Sequence, residues 1–243
     1  TRDQIILALK NKFGIKVGKS IITRALYKLG FTFQKPTVRF KQQDPVIVNK
    51  WLQDDFQKIK DEAKKMNAEI YFGDEAGVAS TYALGKTIGK KGVTPLVHRT
   101  TKRFKVNMLS AISAKGHCRF MVTEKNVNAE IFIEFLSRLI KGAENPIFLI
   151  VDNHPIHKSL KVQEFVEKHQ DKLKLFFLPP YSPELNPDEL VWNDVKNHGL
   201  SRHLVDSLKA LKNNVYSRLH SLQKQKNKII AFYKTPTTAY AIA

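Results

Sequence analysis

Five short runs rich in β-branched and aromatic residues constrain this chain more than anything else in it: AEIYFGD (68–74), FKVNMLSAIS (104–113), CRFMVTE (118–124), IFLIVDN (147–153) and LKLFFLP (173–179). Helical patterns lie between or after the later runs, at 129–141 (AEIFIEFLSRLIK), 159–169 (SLKVQEFVEKH) and 187–197 (PDELVWNDVKN). Strands first and strand-helix alternation afterwards predict an α/β fold in which a mixed sheet is flanked by helices.

The segment before the first strand reads differently. Ile6, Leu9 and Phe13 share one face of a helix over 3–13 that Gly14 ends, and Ile22, Ala25, Leu26 and Leu29 repeat the pattern over 19–29, closed by Gly30. Two helices joined by a short turn are equally compatible with a helix-turn-helix and with a plain helical hairpin. In the first case Lys19, Ser20, Thr23, Arg24 and Lys28 on the second helix are the residue types that touch phosphates and base edges. From Pro45 to Met66 the stripe Leu52, Phe56, Ile59, Ala63, Met66 predicts one long helix, read as a bridge between domains. The expected organisation is a partial helix-turn-helix at 1–35, a linker and bridging helix at 36–67, and the α/β domain with a helical C-terminal tail at 68–243.

The formal charge of +19, from 41 Lys and Arg against 22 Asp and Glu, favours a polyanionic partner, with nucleic acid foremost. Residues 1–41 contain Asp3 as their sole acid, and residues 85–105 contain none, with Lys90, Lys91, Arg99, Lys102 and Arg103 among their cations. A solvated cationic surface explains either patch taken alone. The lone Cys118 excludes an intramolecular disulfide and a thiolate metal cluster, which fits a reducing compartment. No apolar run is long enough for a membrane span and no signal-peptide pattern opens the sequence, so a soluble cytoplasmic protein is expected.

Against this basic background the carboxylates at the ends of apolar runs stand out. Asp74 follows Ile70, Tyr71 and Phe72 and is expected where a buried strand opens into a loop; Asp152 closes IFLIV and precedes Asn153, His154 and Pro155. Both positions suit a rigidly held metal ligand, and both suit a turn or cap residue. Glu189 lies in LPPYSPELNPDELVW (178–192), where Asn186 reads as a helix N-cap and Pro187 as the first helical residue, so Glu189 has a rival role in a capping box. Three acids converging would repel one another without a divalent cation, and hard oxygen donors point to Mg²⁺ or Mn²⁺. Two such ions serve phosphoryl transfer. His154 and His157 form H-x-x-H, but no further Cys or His is spaced for zinc, leaving loop packing or a DNA phosphate contact for His157.

Taken together, IYFGDEAGV (70–78), GKKGVTP (89–95), KRFKVNMLSAIS (102–113), FLIVDNHPIHKS (148–159) and LPPYSPELNPDELVW (178–192) resemble the mariner-like DDE transposases, specifically the bacterial insertion-sequence branch. The resemblance implies a ribonuclease H-like fold with Asp74, Asp152 and Glu189 as catalytic acids and metal ligands, and Glu75 as an acidic neighbour that does not bind metal. It implies cleavage at transposon ends by metal-activated water, then attack of the freed 3′-hydroxyl on target DNA, commonly at TA. The implied partners are the terminal inverted repeats and target DNA, with a homodimer as the working form and the bacterial nucleoid as its surroundings. Residues 1–35 resemble the second of the family's two N-terminal helix-turn-helix units. Ile88 stands where relatives often carry Trp. A non-catalytic DNA-binding remnant or regulator is the alternative function.

Overall fold

The computed structural model describes residues 1–33, 39–80, 90–92, 94, 96, 101–200 and 205–242, the side chains of 198–200 excepted. The chain divides into two compact units, Thr1–Arg39 and Phe40–Ala243.

In the first unit, α1 (Arg2–Phe13) opens with a capping box in which Thr1 and Gln4 satisfy each other's backbone donors, and it ends at Gly14 in the left-handed conformation, φ +69°. Helix α2 (Lys19–Lys28) closes with Phe31 N–H on the Leu26 carbonyl and Gly30 N–H on the Tyr27 carbonyl, the Schellman arrangement that Gly30, at φ +81°, permits. Ile22 is buried and Ile6, Leu9 and Leu26 are half-buried. Phe13, expected on the inner face of α1, is instead exposed: it is the last helical residue, beyond the turn that meets α2.

The second unit begins with a helical stretch that the stripe predicted as one regular helix. It is interrupted: α3 (Pro45–Lys50) gives way to a π-helical turn at Trp51–Asp55, closed by Phe56 N–H on the Trp51 carbonyl, before α4 (Phe56–Lys65). The extra residue in that turn rotates the buried stripe, so Trp51 enters the core with Phe56, Ile59 and Ala63 while Leu52 is only partly buried.

The sheet comprises β1 (Glu69–Ala79), β2 (Lys105–Ser113), β3 (Cys118–Thr123), β4 (Ile147–Val151) and β5 (Leu173–Phe177), in the spatial order β3-β2-β1-β4-β5. Strands β1, β2 and β3 are antiparallel, and β4 and β5 run parallel to β1. This is the mixed sheet expected of a ribonuclease H-like fold. Helices α5 (Ala129–Ile140) and α6 (Leu160–Lys168) cover one face; α4, α7 (Glu189–Asp194), α8 (Leu208–Gln223) and α9 (Lys226–Phe232) belong with the other.

Alternation along the strands assigns each side chain to a face. Tyr71, Leu149 and Val151 enter the core under α5 and α6, whereas Phe72, Phe148 and Ile150 enter the core under the C-terminal helices. Phe72 is fully buried among the rings of Phe56, Tyr233 and Tyr240, and its truncation to Ala is expected to cost about 3–5 kcal/mol. Asp194, at the end of α7, is buried and clasped by Arg218 of α8 and Lys228 of α9, which fixes α7 to the helices behind it. Among the described residues no helix is long and apolar enough to cross a membrane.

Candidate active site

Asp74 was expected at a strand exit, and the structure corrects this. Strand β1 continues five residues further in pairing with β2, Asp74 lying opposite Ser110, while its pairing with β4 stops at Phe72 and Ile150. The acid therefore sits mid-strand on one side and at an open end on the other. Asp152 follows directly on β4. Because Phe72 and Ile150 are register partners, Asp74 and Asp152 stand at the same level of the sheet; alternation directs Asp74 to the face that carries α7, and Asp152 lies just past the end of β4.

Glu189 is the first residue of α7, which starts two residues later than the capping reading required. Asn186 does not cap through its own backbone amide, which goes to the Pro183 carbonyl, so no capping box with Glu189 forms. Instead the Asn186 side chain takes the Asp188 N–H at 3.0 Å and donates to the Gly73 carbonyl at 3.1 Å and, more weakly, to Asp74 Oδ2 at 3.5 Å. Four prolines in 178–192 stiffen this approach, and Asn186 fastens it to β1 where β4 has ceased to pair.

The electrostatics show that the acids share one locality. Burial, then the carboxylates of Asp188, Glu189 and Glu75, hold Asp74 well above the ordinary carboxylate pKa. Burial raises Glu189 too, with Lys196 opposing and Asp152 adding to the rise. Asp188, fully buried, is held well above the usual range by burial and Glu189, although the Ser110 hydroxyl donates to its Oδ2 at 2.6 Å. Asp152 is the exception: burial would raise it, but hydrogen bonds from His157 and the His154 amide bring it below the ordinary value. Among the described residues no three His, Cys, Asp or Glu side chains form a ready-made coordination cluster.

His157 requires a correction. Its assignment to DNA contact fails because the side chain is buried and both ring nitrogens are engaged: Nε2 with Glu75 Oε2 at 3.1 Å, Nδ1 with Asp152 Oδ1 at 3.1 Å and with the Asp152 carbonyl at 3.2 Å. Phe132 of α5 covers the ring at 4.4 Å. Burial would lower the imidazole pKa, but the bonds to Asp152 and Glu75 overcome it and bring it to about 10. The imidazolium thus ties the end of β4 to β1. Sequence reasoning missed this bridge, as it missed the Ser110–Asp188 pair and the anchoring by Asn186.

Of the other candidate DNA contacts, Ser20, Arg24 and Lys28 are exposed on α2, and Lys90, Lys91, Lys102 and Arg103 are exposed in the second unit. Lys19 pairs with Asp3 at 2.9 Å, and the Thr23 hydroxyl donates to the Lys19 carbonyl while accepting from Arg2. Arg99 and Ile88 lie outside the described residues.

Comparison with known proteins bears out the resemblance. The family model for a winged helix-turn-helix matches residues 1–55. The "Insertion element IS630 uncharacterized 39 kDa protein" of Shigella sonnei is 24% identical over 202 residues, 80% of this chain but only 56% of the relative, so the chain spans little more than half that protein. In fold the chain is similar to the mariner Mos1 paired-end complex with Mg, with a TM-score of 0.61 at 14% identity over 97% of this chain and 77% of the other. It is also similar to the Mos1 strand transfer complex, with a TM-score of 0.56 at 16% identity over 95% of this chain and 78% of the other. The family model for a DDE superfamily endonuclease matches residues 69–212, a span that holds all three acids, and the chain belongs to that superfamily.

Proposed function

We propose that this chain is a transposase that cuts DNA at transposon ends and transfers the freed 3′-hydroxyl into target DNA, with Asp74, Asp152 and Glu189 as its catalytic, metal-binding acids. The observation that carries the reading is the convergence of acids delivered from separate elements: beyond the effect of burial, Glu189 raises Asp74 and Asp152 raises Glu189. Carboxylates that repel one another in this way fit a hard divalent cation, Mg²⁺ or Mn²⁺, because the donors are all oxygen and a cation replaces repulsion by attraction. When bound, two such ions supply activation of a water or 3′-hydroxyl and charge stabilisation at the leaving oxygen.

The chain's own residues orient this site. His157 and the His154 amide occupy Asp152 Oδ1, fixing the carboxylate's rotation and leaving Oδ2 directed elsewhere. Asn186 sets the distance between the Glu189 helix and β1. Exposed cations on α2 and at Lys90, Lys91, Lys102 and Arg103 hold the polyanion. Terminal repeats and target DNA are the substrates in this reading, with TA as the target and a homodimer as the working form.

The test is Mg²⁺- or Mn²⁺-dependent nicking and strand transfer on DNA carrying the element's own ends. Activity that disappears in Asp152→Asn supports the reading. Salt-sensitive DNA binding that neither metal nor Asp74→Ala alters, with no cleavage, would instead establish a non-catalytic DNA-binding remnant or regulator.

A further inference from the structure

Tyr181 lies in the loop that delivers Glu189, with φ +56°, the left-handed conformation that costs a bulky residue more than glycine or asparagine. The residue is nevertheless 56% exposed, so burial offers no compensation. The compensation comes from Gln43. Its Nε2 lies 2.6 Å from Glu184 Oε1, 2.9 Å from Ser182 Oγ and 3.3 Å from the Tyr181 carbonyl, locking the backbone of the loop.

The same glutamine places a second ring. Gln43 N–H closes a turn on the Phe40 carbonyl at 3.1 Å, and Phe40, itself 49% exposed, stands 6.5 Å from Tyr181. The loop is fixed to the acids at both ends. Leu178 N–H bonds the Val151 carbonyl at 2.8 Å, beside Asp152, and Asn186 bonds β1 at Gly73 and Asp74. Two exposed aromatic rings are therefore held in fixed relation to the acid site, next to the exposed Lys41.

We propose that Phe40 and Tyr181 form a stacking platform for an unpaired nucleobase of the DNA strand at the point of cutting or joining. Two aromatic rings tilted at 52° to one another, each offering its own apolar face in a chain of charge +19, suit a base attached to a phosphate backbone. Paired duplex keeps its bases stacked on each other, so only a splayed base can reach such a surface. The proposal rests on the transposase reading and adds to it the form of DNA preferred at the site.

The experiment compares, in EDTA so that nothing is cut, a fully paired duplex with the same duplex ending in a short unpaired fork labelled with 2-aminopurine. Tyr181→Gly relieves the backbone strain and removes the ring. It is expected to melt no lower than the unaltered chain, yet to bind the fork roughly tenfold more weakly and lose quenching of the bound label. Binding to the paired duplex stays unchanged, and Tyr181→Phe keeps both fork affinity and quenching. Phe40→Ala, away from the strained backbone, is expected to weaken fork binding in the same direction. Undiminished fork binding in Tyr181→Gly and Phe40→Ala, or equal loss on both DNAs, overturns the platform. Failure of the unaltered chain to bind either DNA overturns the transposase reading, and the platform with it.

Discussion

Asp74 and Glu75 are neighbours in sequence but leave β1 on opposite faces of the sheet, Asp74 toward α7 and Glu75 toward His157 beneath α5. Strand alternation thus decides which acid of the pair His157 engages. Asp74→Asn is expected to abolish metal-dependent cleavage while raising the melting temperature of the metal-free protein, because it removes an acid from a repelling group. Glu75→Gln should keep a measurable rate, lowered by about 10–100-fold through the loosened His157. Cleavage assays and thermal melts on the two variants check both statements; equal, complete inactivation with identical melts would contradict them.

Stability should fall with rising pH in the metal-free protein. His157, raised from 6.5 to about 10, contributes stability that is fully present below its unfolded value and is lost as pH rises through about 10. Asp74 and Glu189, raised as well, favour the fold while protonated and oppose it once ionised, so they act in the same direction at lower pH. Asp152, lowered, works oppositely, and its contribution disappears only in acid. Melting temperatures between pH 6 and pH 10 test this, and His157→Gln should flatten the alkaline part of the decline.

Divalent cation should reverse the carboxylate part of that decline. Mn²⁺ at about 100 times its dissociation constant stabilises a single site by about 2.7 kcal/mol. A thermal shift that saturates with Mn²⁺ or Mg²⁺ and vanishes in Asp152→Asn is the expected result.

Asp194 carries no chemistry but holds α7, and with it Glu189, against α8 and α9. Asp194→Ala leaves Arg218 and Lys228 facing a buried vacancy and should cost about 3–5 kcal/mol. Urea denaturation measures the loss; a change below about 1 kcal/mol would mean that the clasp is solvent-screened.

Helix α2 should act through phosphate contacts. Arg24→Ala and Lys28→Ala are each expected to weaken binding on any DNA sequence and to reduce the slope of log affinity against log salt by about 0.9. Unchanged slopes would remove these residues from the interface.

Much of the scaffold was legible because its signals are local. The five apolar runs became five strands, and Gly14 and Gly30 ended their helices because left-handed backbone favours glycine. What escaped depends on partners distant in sequence. Strand β1 outruns its expected end because β2, not β4, continues to pair with it, and no property of residues 75–79 announces that. The π-helical turn at Trp51–Asp55 is invisible to a periodicity argument that assumes one pitch. For His157 the sequence left loop packing and a phosphate contact open; only the fold shows Glu75, 82 positions away, meeting it. The face of Glu75 could have been found from alternation after Phe72 alone.

Tyr240, near the end of the chain, donates its hydroxyl to the Leu185 carbonyl at 2.9 Å and packs its ring against Phe56 and Phe72. The loop that positions the third acid is therefore braced by a residue made 55 positions later in the chain. While the ribosome still holds that segment, Asp74 and Asp152 can already be in place but the support behind Glu189 cannot. A nascent chain short of Tyr240 lacks this brace, and completion is deferred until translation has passed it.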